Sequence, residues 1–229
     1  MSAAATAVVR RFQTRLTDAM VNHAALLHAV DGHRRQPSLE SLLADQFAFT
    51  TTVLWEVFLS DVLMAYVSED PSTFLVDLNV RLRDSVTAKF GATASKHVKL
   101  QPPATISAQR IPEWLDPKDF NISFPSAAKL STKANSLLPG PAAKRFTLSG
   151  EDAHLFDFSV ALRNYLAHRS SASRKLLSAS VTSLKGANAL LNAPIPTVSV
   201  YLKTAVTGGD TRAVLIARRL HALAGVLVP

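Results

Sequence analysis

Residues 37–70 read PSLESLLADQFAFTTTVLWEVFLSDVLMAYVSED, and the fold class turns on how this run is built. Pro37-Ser38-Leu39-Glu40 is a helix opening, Leu54, Phe58, Val62 and Ala65 follow at three- and four-residue steps, and Asp70-Pro71 closes the run because proline disfavours helix in the residue before it. Its most apolar part, Phe47 to Val67, approaches membrane-spanning length. Glu56 and Asp61 fall inside that part, so we read it as a buried helix of a soluble bundle and expect no membrane partner.

The pattern extends on both sides. From Ala3 to about Val30, the apolar residues Val8, Phe12, Leu16, Met20, Leu27 and Val30 alternate in helical rhythm with Arg10, Arg11, Arg15 and Asp18, which predicts an amphipathic first helix. Pro71 to Phe90 reads as a third helix. Residues 92–149 break the rhythm with seven of the twelve prolines, including Pro102-Pro103 and Pro139-Gly140-Pro141, and read as a basic excursion with short structured pieces. Within it, Ile111 to Leu115 and Phe120 to Phe124 carry enough aromatic mass to dock on the bundle.

Ser149-Gly150-Glu151-Asp152 then starts another helix, with Ser149 as N-cap and Leu155, Phe158, Leu162 and Leu166 as its apolar stripe. A helix from about Ser171 to Asn192, a short element over Val198 to Val206 and a last helix from Asp210 to Leu227 complete the chain. The longest alternating stretch is Val198 to Tyr201, so the expected class is all-α. We expect one helical domain over residues 1–229, with the Pro-rich insertion at about 92–149.

Composition narrows the chemistry. Cysteine is absent, which removes disulfides, thiolate nucleophiles and thiolate zinc sites and fits a reducing, cytoplasmic setting. The N-terminal segment lacks the basic-then-apolar order of a signal peptide, so no export is expected. Net charge is +8, and it is unevenly spread: Lys+Arg against Asp+Glu stands at 8 to 10 over residues 1–91, 8 to 3 over 92–149 and 9 to 4 over 150–229. A basic excess in the later portions suits an acidic polymer such as RNA; a solvated surface accounts for it equally.

The densest chemistry lies at Arg163-Asn164-Tyr165-Leu166-Ala167-His168. Arg163 is permanently cationic, Asn164 can orient a ring or a phosphate, and His168 belongs to the side-chain class that titrates near neutrality. On a helix, Asn164 and His168 lie about 40° apart and are neighbours, whereas Arg163 and His168 lie about 140° apart. A second copy of the helix about a two-fold axis could complete the site. A chain of this composition contains roughly 0.05 chance examples of the spacing.

This hexad resembles the Arg-polar-x-x-x-His signature of HEPN domains (higher eukaryotes and prokaryotes nucleotide-binding). The second helix around Trp55-Glu56-Val57-Phe58-Leu59 and the ending Ala167-His168-Arg169-Ser170-Ser171 are similar to the RiboL-PSP type. The resemblance implies a helical bundle that dimerises with a shared active site and cleaves single-stranded RNA without a metal or other cofactor. In that reading Arg163, Asn164 and His168 are catalytic, and Arg169, Arg174 and Lys175 bind RNA or merely solvate a helix start. The product would be a 2′,3′-cyclic phosphate, and such domains often serve as toxin or phage-defence effectors with an antitoxin or regulatory protein as partner. The alternative is a non-catalytic HEPN module that binds RNA, a nucleotide or a protein.

Other polar residues carry weaker signals. Glu56 is either the partner of an arginine, Arg163 among the candidates, or a bundle-edge carboxylate. Tyr165 reads as packing. His23, His28 and His33 recur at five-residue steps that rotate each away from the last, unlike helical zinc ligands, and read as surface histidines. No phosphate-binding glycine loop, Gly-x-Ser-x-Gly elbow or His-Glu-x-x-His pair is present.

Overall fold

Capping chemistry and helical periodicity, with few competing strand signals, yield an all-α bundle. The structure is a computed structural model, and it describes residues 2–101, 110–115, 122–206 and 208–228. Three long helices come first: α1 (Ala3–Ala29), α2 (Gln36–Glu69) and α3 (Ser72–Phe90). Ser2 caps α1 by accepting from Ala5 N, Pro37 sits in the first turn of α2, and Pro71 precedes α3, so these boundaries match the sequence reading within a residue or two. Short pieces α4 (Ala92–Ser95) and α5 (Ile111–Leu115) follow, then α6 (Ala127–Leu137) and α7 (Gly140–Ala143). The chain ends with α8 (Gly150–His168), α9 (Ser171–Thr182), α10 (Val198–Lys203) and α11 (Arg212–Leu227). Among the described residues the one strand-like feature is an isolated bridge between Ala205 and Thr211.

α2 is the central element, contacting α1, α8, α10 and α11. Trp55 lies at its middle, 1% exposed, with ring centroids of Phe12, Phe58 and Phe156 at 5.7, 5.2 and 6.4 Å. Among the described residues one helix, α2, is long and apolar enough to cross a membrane by length and composition, but 56% of its most apolar stretch is buried inside the bundle. Three of its acids meet arginines from elsewhere in the bundle: Asp45 with Arg169, Glu56 with Arg163 and Asp61 with Arg11. That is the behaviour of a core helix whose polar edges are matched by the rest of the bundle.

Three expectations are corrected. Residues 127–137 do carry a periodicity: Ala127, Leu130, Ala134 and Leu137 are buried on one face of α6, half of them alanines that a hydrophobic scan underweights. With Leu138, Ala143 and Phe146 also buried, residues 122–149 contribute a wall of the core. Asp157 on α8 ties that wall down by accepting from Ala127 N at 2.7 Å. Ile111 and Ile122 are buried and Trp114 packs on Phe74 at 6.2 Å, so the docking of this region holds; Pro102, Pro103 and Phe120 lie outside the described residues.

The second correction concerns 171–192, which is two pieces and not one helix. α9 stops at Thr182 and a 3-10 turn spans Gly186–Leu191. Gly186 has φ 54°, and a Cβ there would overlap the Glu151 carboxylate, which accepts from Ala187 N at 3.1 Å. The short element expected over Val198 to Val206 is a helix at Val198–Lys203: Val198, Tyr201 and Leu202 are buried while Val200 is 41% exposed, a helical spacing. Last, His23 is not on the surface; it is buried and stacks on Phe47 with centroids 4.3 Å apart and planes 8° apart.

Candidate functional site

α8 begins where Ser149 accepts from Asp152 N, and its apolar stripe of Leu155, Phe158, Leu162 and Leu166 is buried. Packing this stripe against the bundle fixes the rotation of the helix about its axis. Arg163 and Asn164 consequently face α2, at the edge of a cleft of about 300 Å³ lined also by Thr52, Trp55, Glu56, Ser123, Pro125, Ser159 and Val160. Arg163 Nε lies 3.2 Å from Glu56 Oε2, an ion pair without the alignment of a hydrogen bond, and Arg163 Nη1 donates to Asn164 Oδ1 at 3.3 Å. Glu56, Arg163 and Asn164 thus form one polar group, with the carboxylate and guanidinium side chains 30% and 34% exposed. Of the two roles open to Glu56, the partner of Arg163 is the observed one.

His168 is the last residue of α8 and is exposed. Its side chain makes no hydrogen bond or ion pair among the described residues, and the Asn164 side chain one turn earlier instead accepts from Arg163. The helical period placed Arg163 off the face of His168, and the structure agrees: Arg163 turns into the cleft and His168 remains outside it. The trio is one covalent stretch divided between two environments.

The next residue explains how the helix ends. Arg169 has φ 51°, the sole positive φ among the described residues other than glycine, and its N–H donates to Tyr165 O at 2.7 Å. Its guanidinium donates to Asp45 Oδ2 at 3.0 Å and lies 5.6 Å above the Tyr165 ring centroid, while Ser199 donates to the same Asp45 oxygen at 2.8 Å. Asp45 is 8% exposed. Arg169 is therefore bound up in holding the α8–α9 corner, and Tyr165 packs beneath it.

α9 starts at once, with Ser170 accepting from Ser173 N. Arg174 is exposed and its Nη2 donates to Pro196 O at 2.8 Å, while Lys175 is exposed with no partner among the described residues. Of these three cations Arg169 and Arg174 are engaged and Lys175 is not. Asp45, Ser199 and the wall at Ser123–Pro125 went unread in the sequence. Asp45 did leave a signal, since it shares a helical face with Ala48, Thr52 and Trp55, and an acid at a core position needs a cation.

Among the described residues no group of three or more His, Asp or Glu side chains is placed to hold a metal ion. No protein-family model, curated protein or solved structure matches this chain. The resemblance of the hexad to HEPN domains therefore rests on the motif and on its placement in an all-α bundle.

Proposed function

We propose that this chain is a HEPN-type endoribonuclease that cleaves single-stranded RNA without a metal, through attack of the 2′-hydroxyl on the adjacent phosphate. The observation that carries the reading is the division of the hexad: a guanidinium held at the mouth of a cleft by Glu56 and Asn164, and an unencumbered imidazole at the end of the same helix. His168 accepts the 2′-OH proton, the 2′-oxygen attacks phosphorus, and Arg163 balances the charge that gathers on the phosphorane. The 5′-oxygen leaves with a proton from a second acid. A two-fold dimer that juxtaposes the ends of two α8 helices supplies that acid as the His168 of the other copy. The 2′-hydroxyl requirement restricts the substrate to RNA and leaves a 2′,3′-cyclic phosphate.

Arg174 and Lys175 supply the neighbouring positive surface, and a cytoplasmic toxin or defence effector restrained by an antitoxin or regulatory protein is the setting this activity fits. Single-stranded RNA incubated with wild type, Arg163→Ala and His168→Ala in EDTA, with the cut ends identified, tests the reading. Loss of all cleavage in EDTA, or undiminished cleavage by His168→Ala, would sink it. A second reading has its own support: Arg163 is already engaged by Glu56 and Asn164 and does not contact His168, as in a non-catalytic HEPN module that binds RNA, a nucleotide or a protein. Sedimentation separates the two as well, because a monomer that cleaves at full rate contradicts a shared site.

A further inference from the structure

We propose that the cleft between α2 and α8 is a guanine pocket, in which Glu56 reads the base next to the scissile phosphate. This rests on the ribonuclease reading of the same region and adds a substrate preference to it. The cleft holds about 300 Å³, at the lower end of the range for ligand pockets and the scale of a single nucleoside. Val160 and Pro125 contribute apolar wall, and Glu56, Arg163 and Asn164 form one polar group within the lining.

The chemistry of those groups is selective. Glu56 Oε2 faces Arg163, while Oε1 makes no hydrogen bond or ion pair among the described residues. Because Asn164 Oδ1 accepts from Arg163, the Asn164 amide presents its N–H₂ group as a donor. A carboxylate beside an amide and a guanidinium therefore offers acceptors flanked by donors. Guanine alone among the four RNA bases carries two adjacent N–H donors, N1–H and N2–H, next to an acceptor, O6. Those donors match the carboxylate, and O6 matches Asn164 or Arg163. Adenine and cytosine present one amino donor beside an acceptor, and uracil one N–H between two acceptors, so each turns a lone pair toward the carboxylate. Single-stranded RNA is read on these edges.

The placement also suits the cleavage step. Asn164 and His168 are separated by one turn of α8, about 6 Å of rise. A nucleotide whose base occupies the cleft thus extends its ribose and phosphate along the helix toward the exposed imidazole. Arg163 lines the cleft itself, its Nε–H buried without a hydrogen-bond acceptor.

Calorimetric titration of the intact chain with guanosine, inosine, adenosine, cytidine and uridine 3′-monophosphates tests this without relying on turnover. The guanosine nucleotide is expected to bind at least 10-fold more tightly than the adenosine, cytidine and uridine ones, in line with the discrimination a bidentate contact provides. Inosine, which lacks only the 2-amino donor, should bind about 10-fold more weakly than guanosine. Glu56→Gln, checked for its fold by circular dichroism, should shrink the guanine preference to under threefold. Binding of all five within threefold, no binding of any, or an undiminished preference in folded Glu56→Gln would overturn the proposal. The inosine comparison needs no variant and stands even if Glu56→Gln fails to fold. Guanine-selective binding by a chain that never cleaves RNA removes the nuclease reading and leaves the pocket; cleavage without base preference removes the pocket and leaves the nuclease.

Discussion

Helix α2 meets α8 and the cap that follows it at two carboxylate–arginine pairs that share residue types and little else. At one end Asp45 is nearly buried, accepts from both Arg169 and Ser199 through a single oxygen, and fixes a corner of the backbone. At the other, Glu56 faces Arg163 across the mouth of a cleft, with both side chains about a third exposed. A buried pair is costly to break because it leaves an uncompensated charge; a half-exposed one contributes little to stability and is free to meet a ligand. The contrast assigns architecture to the Asp45 end and chemistry to the Glu56 end.

The largest expected effect lies at the open end. Arg163→Ala should lower the rate of RNA cleavage by roughly 10²- to 10³-fold, the usual result of removing one group that stabilises transition-state charge. Urea unfolding of the same variant should show a loss of under about 1 kcal/mol, given the exposure of the pair. A variant that loses stability in preference to activity would reverse the assignment. Asp45→Ala should do the opposite. Breaking its pair is expected to cost about 1–2 kcal/mol in urea unfolding, less than for a fully buried pair because Arg169 is half exposed.

Arg169 separates pairing from backbone conformation at the closed end. Both Arg169→Ala and Arg169→Gly lose the Asp45 contact, but glycine adopts positive φ without steric cost. Arg169→Gly should therefore be more stable than Arg169→Ala by about 0.5–1 kcal/mol in thermal or urea denaturation. Equal stabilities would mean that the left-handed corner carries no strain.

The smallest expected effect is one of pH. His23 stacks on Phe47, two residues from Asp45, and its burial pushes the proton affinity of the ring below the ordinary value of 6.5. The unfolded chain then takes up the proton first as pH falls, so the contribution of this ring to stability is intact above about pH 6.5 and is lost below it, down through the folded value. His23→Leu should flatten the fall in melting temperature between pH 7 and 5; an unchanged slope would remove His23 as its source.

The same contrast explains what the sequence disclosed. Caps and prolines leave plain marks, so α1, α2, α3 and the start of α8 were legible to within a residue or two. α6 was not, because Ala127 and Ala134 occupy half of its buried face and carry little hydrophobic signal. The break after α9 depends on Glu151, 35 positions before Gly186, which no local pattern reports. At the site, helical geometry alone separated Arg163 from His168, and the acid in an apolar helix marked Glu56. Asp45 was missed although it obeys the same rule, for its partners Arg169 and Ser199 are 124 and 154 residues away. The cleft itself needs Ser123–Pro125, brought in by a segment whose prolines hide its place in the core.

Cleavage of defined single-stranded RNA in EDTA by wild type and His168→Ala tests the central claim most directly. The account predicts wild-type cuts that leave 2′,3′-cyclic phosphate ends and a loss of at least 100-fold in the variant. Cuts that vanish with EDTA, or that His168→Ala makes at the wild-type rate, would contradict it.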